Sequence, residues 1–345
     1  MKTRLTELFG IDVPIVLPGM SWISKAELVA AVSEAGGLGI LATGPLSEDE
    51  TREAIRAVRK RTDRPFGVGV TLMMPGAVPN AKVALEERVP VINFQLGRGE
   101  WLIEGVHEYG GCAVATVTSE RHARSAETAG VDAILLTGHE AAAHGGRVTS
   151  LVLVPAVARV VNIPVIAAGG FADGRGLLAA LSLGAEGIAM GTRFAATQES
   201  ALHADAKRVI TEKSQADTLY TNNFDGMWAR IMKTPESERI TRRPMGFIRS
   251  ALLAVRTARS MGMPVRPLLA SLLSQPGRIR MLSYFGASLP KVELATIRGD
   301  VERGVQFIGQ AQGLVEDVPT AGELVRRVVG EAEKLLTELE AKFPH

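Results

Sequence analysis

The chain has 345 residues, 46% of them hydrophobic and 22% charged, with a formal net charge of +2. That balance excludes disordered and collagen-like chains and gives no case for a nucleic-acid partner. A single cysteine, Cys112, excludes an intramolecular disulfide, and a small buried hydrophobe is its expected role. The first seven residues lack an apolar signal core, and no apolar run approaches the roughly 20 residues that span a bilayer. A cytoplasmic location with no membrane partner is the expectation.

Along the first two-thirds of the chain, short apolar runs alternate with amphipathic stretches. Residues 13–17 read as a strand, and 25–35 as a helix with Leu28, Val29 and Val32 on one face. Gly36-Gly37 ends that helix and 38–41 starts the next strand. The cycle continues with helix 48–61, strand 66–71, strand 89–94, helix 101–109, strand 111–116, helix 119–129 and strand 132–137. Helix 151–161, strand 164–168, helix 173–183 and strand 186–190 follow. About eight strand-then-helix units imply parallel strands with helical crossovers, which a doubly wound sheet or a closed barrel would satisfy. The count favours an α/β fold of the (β/α)₈ barrel type, roughly 250 residues in its usual form.

After Phe194 the rhythm breaks. Residues 239–292 contain no Asp or Glu but nine arginines and Lys291, with a helical stretch at 247–261. We expect a barrel over 1–212, a mainly helical insertion or lid over 213–311, and a C-terminal helix within 312–345 that returns to the barrel. Thr320 and Glu323 have the spacing of a capping box ahead of that helix.

Two loops carry chemistry. Ala168-Gly169-Gly170 and Gly191-Thr192 each follow an apolar strand, where barrel enzymes bind phosphate. Glycine lets the backbone approach an anion so that its N–H groups point at it, and Thr192 adds a hydroxyl. Two such loops one βα unit apart favour phosphate binding over tight turns alone. Gly36-Gly37-Leu38-Gly39 enters a strand instead of leaving one, so it reads as a helix cap and not a dinucleotide fingerprint.

The strand at 132–137 leads into Gly138-His139-Glu140-Ala141-Ala142-Ala143-His144-Gly145-Gly146. Two histidines beside Glu140 invite a zinc reading, but the spacing is not that of a His-Glu-x-x-His helix and no further ligand cluster appears, so no metal is expected. General acid/base work, a polar contact to substrate and a structural role all stay open for His144. Its small neighbours favour proton transfer at a strand end, whereas His139 is expected to be structural.

Taken together, these residues resemble the FMN-dependent nitronate monooxygenase (2-nitropropane dioxygenase-like) superfamily. That superfamily also holds flavin enoyl-ACP reductases, NADH:quinone reductases and acyl-CoA-acting flavoenzymes. The likeness runs through residues 3–11, Pro18-Gly19-Met20, residues 30–39, the His144 loop, residues 164–176, Gly191-Thr192-Arg193-Phe194 and residues 309–315. It implies a barrel that holds FMN non-covalently. Gly19, Met20 and Ser21 would lie beside the isoalloxazine ring, with Thr71 and Ala143 near it. Ala168, Gly169, Gly170, Gly191 and Thr192 would hold the phosphate, and His144 falls on the active-site histidine. Many members carry Asn where this chain has Gly69, and some carry a flavin-contacting Lys where it has Thr116.

The leading expectation from this resemblance is oxidation of an alkyl nitronate with O₂. The second is redox chemistry on an acyl-CoA or acyl-ACP thioester. Arg242, Arg243, Arg249, Arg256, Arg259, Arg266, Arg278 and Arg280 could grip CoA phosphates, and residues 224–231 (Phe-Asp-Gly-Met-Trp-Ala-Arg-Ile) resemble CoA-acting members of steroid-ring breakdown. A solvated helix face or an oligomer contact would explain the same arginines. NAD(P)H:quinone reduction and a non-catalytic binding protein are further alternatives. The partner expected is a small-molecule substrate; NAD(P)H docking and a homodimer are left open.

Overall fold

A computed structural model of the chain describes residues 1–74, 76–142, 144–260 and 276–342. Eight parallel strands close into a barrel in sequence order. They are β1 (Ile15–Leu17), β2 (Leu38–Ala42), β3 (Phe66–Thr71), β4 (Val91–Gln95), β5 (Cys112–Val117), β6 (Ala133–Thr137), β7 (Val165–Ala168) and β8 (Gly187–Ala189). The ring is sealed by β1 on β8, with Ile15 opposite Ile188 and Val16 opposite Ala189. Closure excludes the doubly wound sheet.

The period-2 alternation of a strand divides the core in two. Val16, Leu38, Ile40, Val91, Val114, Leu135 and Ile166 fill the lumen, and helix α1 (Arg4–Phe9) plugs its lower end with Leu5 and Phe9. The alternate residues, such as Leu17, Val68, Ile92, Ile134 and Ile188, face the outer helices. Those helices are α2 (Ala26–Glu34), α3 (Glu48–Arg59), α4 (Ala77–Glu86), α5 (Glu100–His107), α6 (Glu120–Thr128), α7 (Ser150–Ala158) and α8 (Gly174–Ser182). On β3 the alternation places Phe66, Val68 and Val70 in the outer cluster, which leaves Gly67, Gly69 and Thr71 for the lumen side.

Beyond the barrel come α9 (Gly191–Ala195) and α10 (Ala204–Glu212), then an antiparallel hairpin of β9 (Thr218–Thr221) and β10 (Ala229–Met232). Helices α11 (Pro235–Arg242), α12 (Phe247–Ser260) and α13 (Pro276–Arg298) follow, and α12 packs on α13. A Cβ at Gly286 would lie 2.9 Å from Ala254 Cβ, so glycine sets how closely those two helices approach. The final helix, α14 (Ala321–Glu340), lies against α8 and α2. Thr320 caps it by accepting from the Glu323 N–H at 3.2 Å, but the Glu323 carboxylate takes Arg327 at 3.0 Å instead of closing the capping box. No helix among the described residues is long and apolar enough to cross a membrane.

Candidate active site

One cavity of about 300 Å³ opens at the C-terminal ends of the strands. Its floor is the top layer of inward strand positions, where the apolar lumen gives way to Thr71, Asn93, Gln95, Thr116 and Thr137. Four of these polar groups bond in pairs. Gln95 Nε2 donates to Thr71 Oγ1 at 2.9 Å, and Asn93 Nδ2 donates to Thr116 Oγ1 at 3.0 Å. Helix α13 contributes Phe285, Leu289 and Val292 to the same cavity, together with Phe307.

The structure brings Gly19, Met20, Ser21, Thr71, His144, Ala168, Gly169, Gly170, Gly191 and Thr192 to this one cavity. Ala143 lies outside the described residues. Gly169 and Gly170 hold φ values of 102° and 88°, a left-handed region that side chains disfavour. A Cβ at Gly169 would also stand 3.0 Å from Ala141 N. Gly191 and Thr192 open α9, whose first N–H groups have no carbonyl one turn behind them. Thr192 Oγ1 accepts from Gly309 N at 3.0 Å, which leaves its proton for another acceptor.

A Cβ at Gly69 would meet Ile40 Cγ2 at 3.4 Å and Gly19 Cα at 3.5 Å, ordinary contacts that do not demand glycine, while its register partner on β4, Asn93, supplies an amide to the cavity. Thr116 likewise presents a hydroxyl, paired with Asn93. The two departures from the superfamily pattern thus still leave polar groups on this side of the floor.

The His144 loop is braced from several sides. Glu140 accepts from Ser150 N at 3.0 Å, and Ser150 Oγ donates to Gly169 O at 2.8 Å, tying this loop to the β7 turn. Gln310 N donates to Glu140 O at 2.8 Å, so the chain returning after α13 crosses the loop. His139 bonds Gly146 O through Nδ1 at 3.0 Å and meets the Tyr220 ring edge-on at 4.6 Å, a structural placement. Arg230, buried and with no carboxylate in bonding reach among the described residues, gives two N–H groups to His139 O. Burial pushes its guanidinium below the usual range, which the Glu140 charge partly offsets.

Asp225 is the functional candidate that sequence reasoning missed. It sits in the β9–β10 connection, is 0% exposed, and its Oδ2 lies 2.7 Å from His144 Nε2. Its other oxygen accepts from Met227 N at 3.1 Å. A carboxylate there accepts a hydrogen bond from Nε2–H, which fixes the tautomer and makes Nδ1 the lone-pair nitrogen. Nδ1 has no protein partner among the described residues. The available signal was the 224–231 segment itself, noted for its likeness and not for its carboxylate.

Among the described residues, no arginine of 239–292 lines the cavity. Arg239 pairs with Glu236 at 2.7 Å, and Arg242 lies 4.0 Å from Glu238. Arg243, Arg249, Arg256 and Arg259 are exposed, and Arg280 stands over the Tyr284 ring at 5.8 Å. Arg266 and the Arg278 side chain lie outside the described residues. Among the described residues no three His, Cys, Asp or Glu side chains converge as a metal site. Burial raises the Cys112 thiol to about 11, far from a thiolate nucleophile.

The sequence profile of the nitronate monooxygenase family matches residues 2–87 and 74–331. A (3aS,4S,5R,7aS)-5-hydroxy-7a-methyl-1-oxo-octahydro-1H-indene-4-carboxyl-CoA dehydrogenase of Mycobacterium tuberculosis is 36% identical over 341 residues, covering 96% of each chain. A probable nitronate monooxygenase of Staphylococcus saprophyticus is 33% identical, covering 67% of this chain and 78% of its own. The structure of FabK from Thermotoga maritima superimposes with a TM-score of 0.83 at 36% identity, covering 99% of both chains. By profile, relatives and fold, this chain belongs to the nitronate monooxygenase family and is a flavin oxidoreductase of that type.

Proposed function

We propose that this chain is an FMN-dependent dehydrogenase of acyl-CoA thioesters in which His144 is the general base. The observation that carries this reading is the buried carboxylate of Asp225 on His144 Nε2. An alkyl nitronate arrives already deprotonated and needs a donor or a cation. An imidazole whose Nδ1 is an acceptor, backed by a negative charge, is suited instead to removing a proton from a neutral substrate. The segment that supplies Asp225 lies inside the match to the CoA-acting relative, which spans nearly the whole of both chains.

The residues fit FMN. The glycine turn at 169–170, with φ of 102° and 88°, brings bare backbone to the cavity, and the first N–H groups of α9 together with the Thr192 hydroxyl suit a phosphate dianion. Gly19, Met20, Ser21 and Thr71 would flank the ring. FMN would supply the two-electron acceptor. In that chemistry His144 Nδ1 would take the O–H proton of a hydroxyl on the acyl part as its carbon is oxidised. Asp225 stabilises the imidazolium so formed, and Phe285, Leu289, Val292 and Phe307 exclude water from the reacting end.

Nitronate oxidation is the second reading, supported by the Staphylococcus saprophyticus relative. The test is anaerobic mixing of the purified yellow protein with a ring-bearing hydroxyacyl-CoA, propionate 3-nitronate, NADH or NADPH. Bleaching of the flavin by the thioester is expected. Bleaching by nitronate with no response to any thioester overturns the proposal in favour of the second reading.

A further inference from the structure

The hairpin turn that brings Asp225 to His144 continues into a stack of side chains that the proton chemistry does not use. Trp228 lies on Tyr220 with ring centroids 5.1 Å apart and planes 20° apart. Tyr220 is fixed in turn by His139 edge-on, by the Arg230 guanidinium 5.5 Å from its ring centre, and by its hydroxyl, which donates to Gly145 O at 3.1 Å. The Arg147 guanidinium stands 5.1 Å over the Trp228 ring. Arg147 follows His144 by three residues, so the loop that places the base in the cavity ends at this stack.

Two properties mark the stack as a ligand surface. Trp228 is 42% exposed although it is braced like a core residue, whereas the rings under Arg88, Arg230 and Arg280 are buried or half-buried. Arg147 is exposed and has no carboxylate in ion-pair reach among the described residues. A guanidinium fixed over an aromatic ring, with its N–H fork free, matches a phosphate beside a planar base. The exposed arginines of α12 line no cavity and offer no such pairing in the described structure.

We propose that Arg147 and Trp228 form the subsite for the phosphorylated adenosine end of the CoA thioester. The base stacks on the outer face of the Arg147 guanidinium, which the indole backs, and a phosphate takes the guanidinium N–H groups. This rests on the thioester reading above.

The test is calorimetric titration of the FMN-loaded full chain with CoA and with adenosine 3′,5′-bisphosphate. Both are expected to bind wild type. Arg147→Gln and Trp228→Ala are each expected to raise both dissociation constants about tenfold or more, and Arg147→Gln to flatten their dependence on salt. Arg249→Gln is the control and is expected to leave them unchanged. Arg147 is exposed, so its variant keeps the test valid if Trp228→Ala fails to fold. Wild-type affinity for CoA in Arg147→Gln overturns the subsite and leaves the thioester reading standing, and a loss in Arg249→Gln instead moves the nucleotide to α12 and overturns it too. A wild-type protein that binds neither probe yet is bleached by nitronate overturns both proposals.

Discussion

Replacing Asp225 by Asn keeps the shape of the side chain and removes its charge. The amide oxygen can still accept from Met227 N, so the turn is expected to hold, but this points the amide NH2, a donor, at Nε2 and favours the tautomer whose proton sits on Nδ1. The loss falls on the protonated imidazole. With the two charges about 4 Å apart, an effective dielectric near 20 gives an attraction of about 4 kcal/mol. The Asn donor returns none of this to the reactive tautomer. A loss of about 4 kcal/mol corresponds to a fall in kcat of about 10³-fold, because each 1.36 kcal/mol is tenfold in rate. Anaerobic stopped-flow bleaching of the flavin by a hydroxyacyl-CoA reads that step directly. Flavin content and melting temperature should match wild type, with KM little changed. Combining Asp225→Asn with His144→Ala should cost no more than His144→Ala alone, since the carboxylate acts through the ring. A variant that keeps kcat within about threefold of wild type, while His144→Ala loses most activity, would refute the role given to Asp225.

His144→Ala itself is expected to keep its flavin and lose about 10²–10⁴ in turnover, checked by the visible spectrum and the same bleaching assay. Gly169→Ala meets both a φ of 102° and a backbone nitrogen 3.0 Å from the new Cβ. It should cost about 1–2 kcal/mol of stability and lower FMN content, read by thermal melting and flavin release. At Glu87, burial pushes the carboxyl up, but Arg56, Arg52 and Arg59 outweigh it and hold it below the usual range. A carboxyl depressed in the fold contributes stability above its unfolded value, and that stability is lost as pH falls through the folded value. Glu87→Gln should therefore cost about 1–2 kcal/mol near pH 7, a gap that closes below about pH 4, measured by urea melts across that range.

The barrel was legible because each strand is an apolar run ended by glycine or a polar residue, and each crossover repeats helical spacing. The glycine turns at 169–170 and 191 were legible for the same local reason, since they follow β7 and β8 directly. Asp225 was not, because it meets His144 across 81 residues of sequence and no periodicity encodes that distance. The hairpin at 218–232 was hidden by its four-residue strands and by Arg230, a charge that reads as surface until burial under Tyr220 is seen. Helix α4 escaped notice because Gly76 and Pro79 look like loop punctuation, although a proline in the first turn of a helix is tolerated. The arginines of 239–292 show the limit from the other side, since composition revealed the charge but not that part of it is spent on Glu236 and Glu238.

The hydrogen bond from Gln310 to the Glu140 carbonyl has a bearing on biogenesis. The His144 loop is clasped by Asp225, Tyr220 and Gln310, all synthesised after it. During translation the eight strands can close while that loop still lacks its clasps. The loop can therefore reach its final form only once residue 310 has emerged.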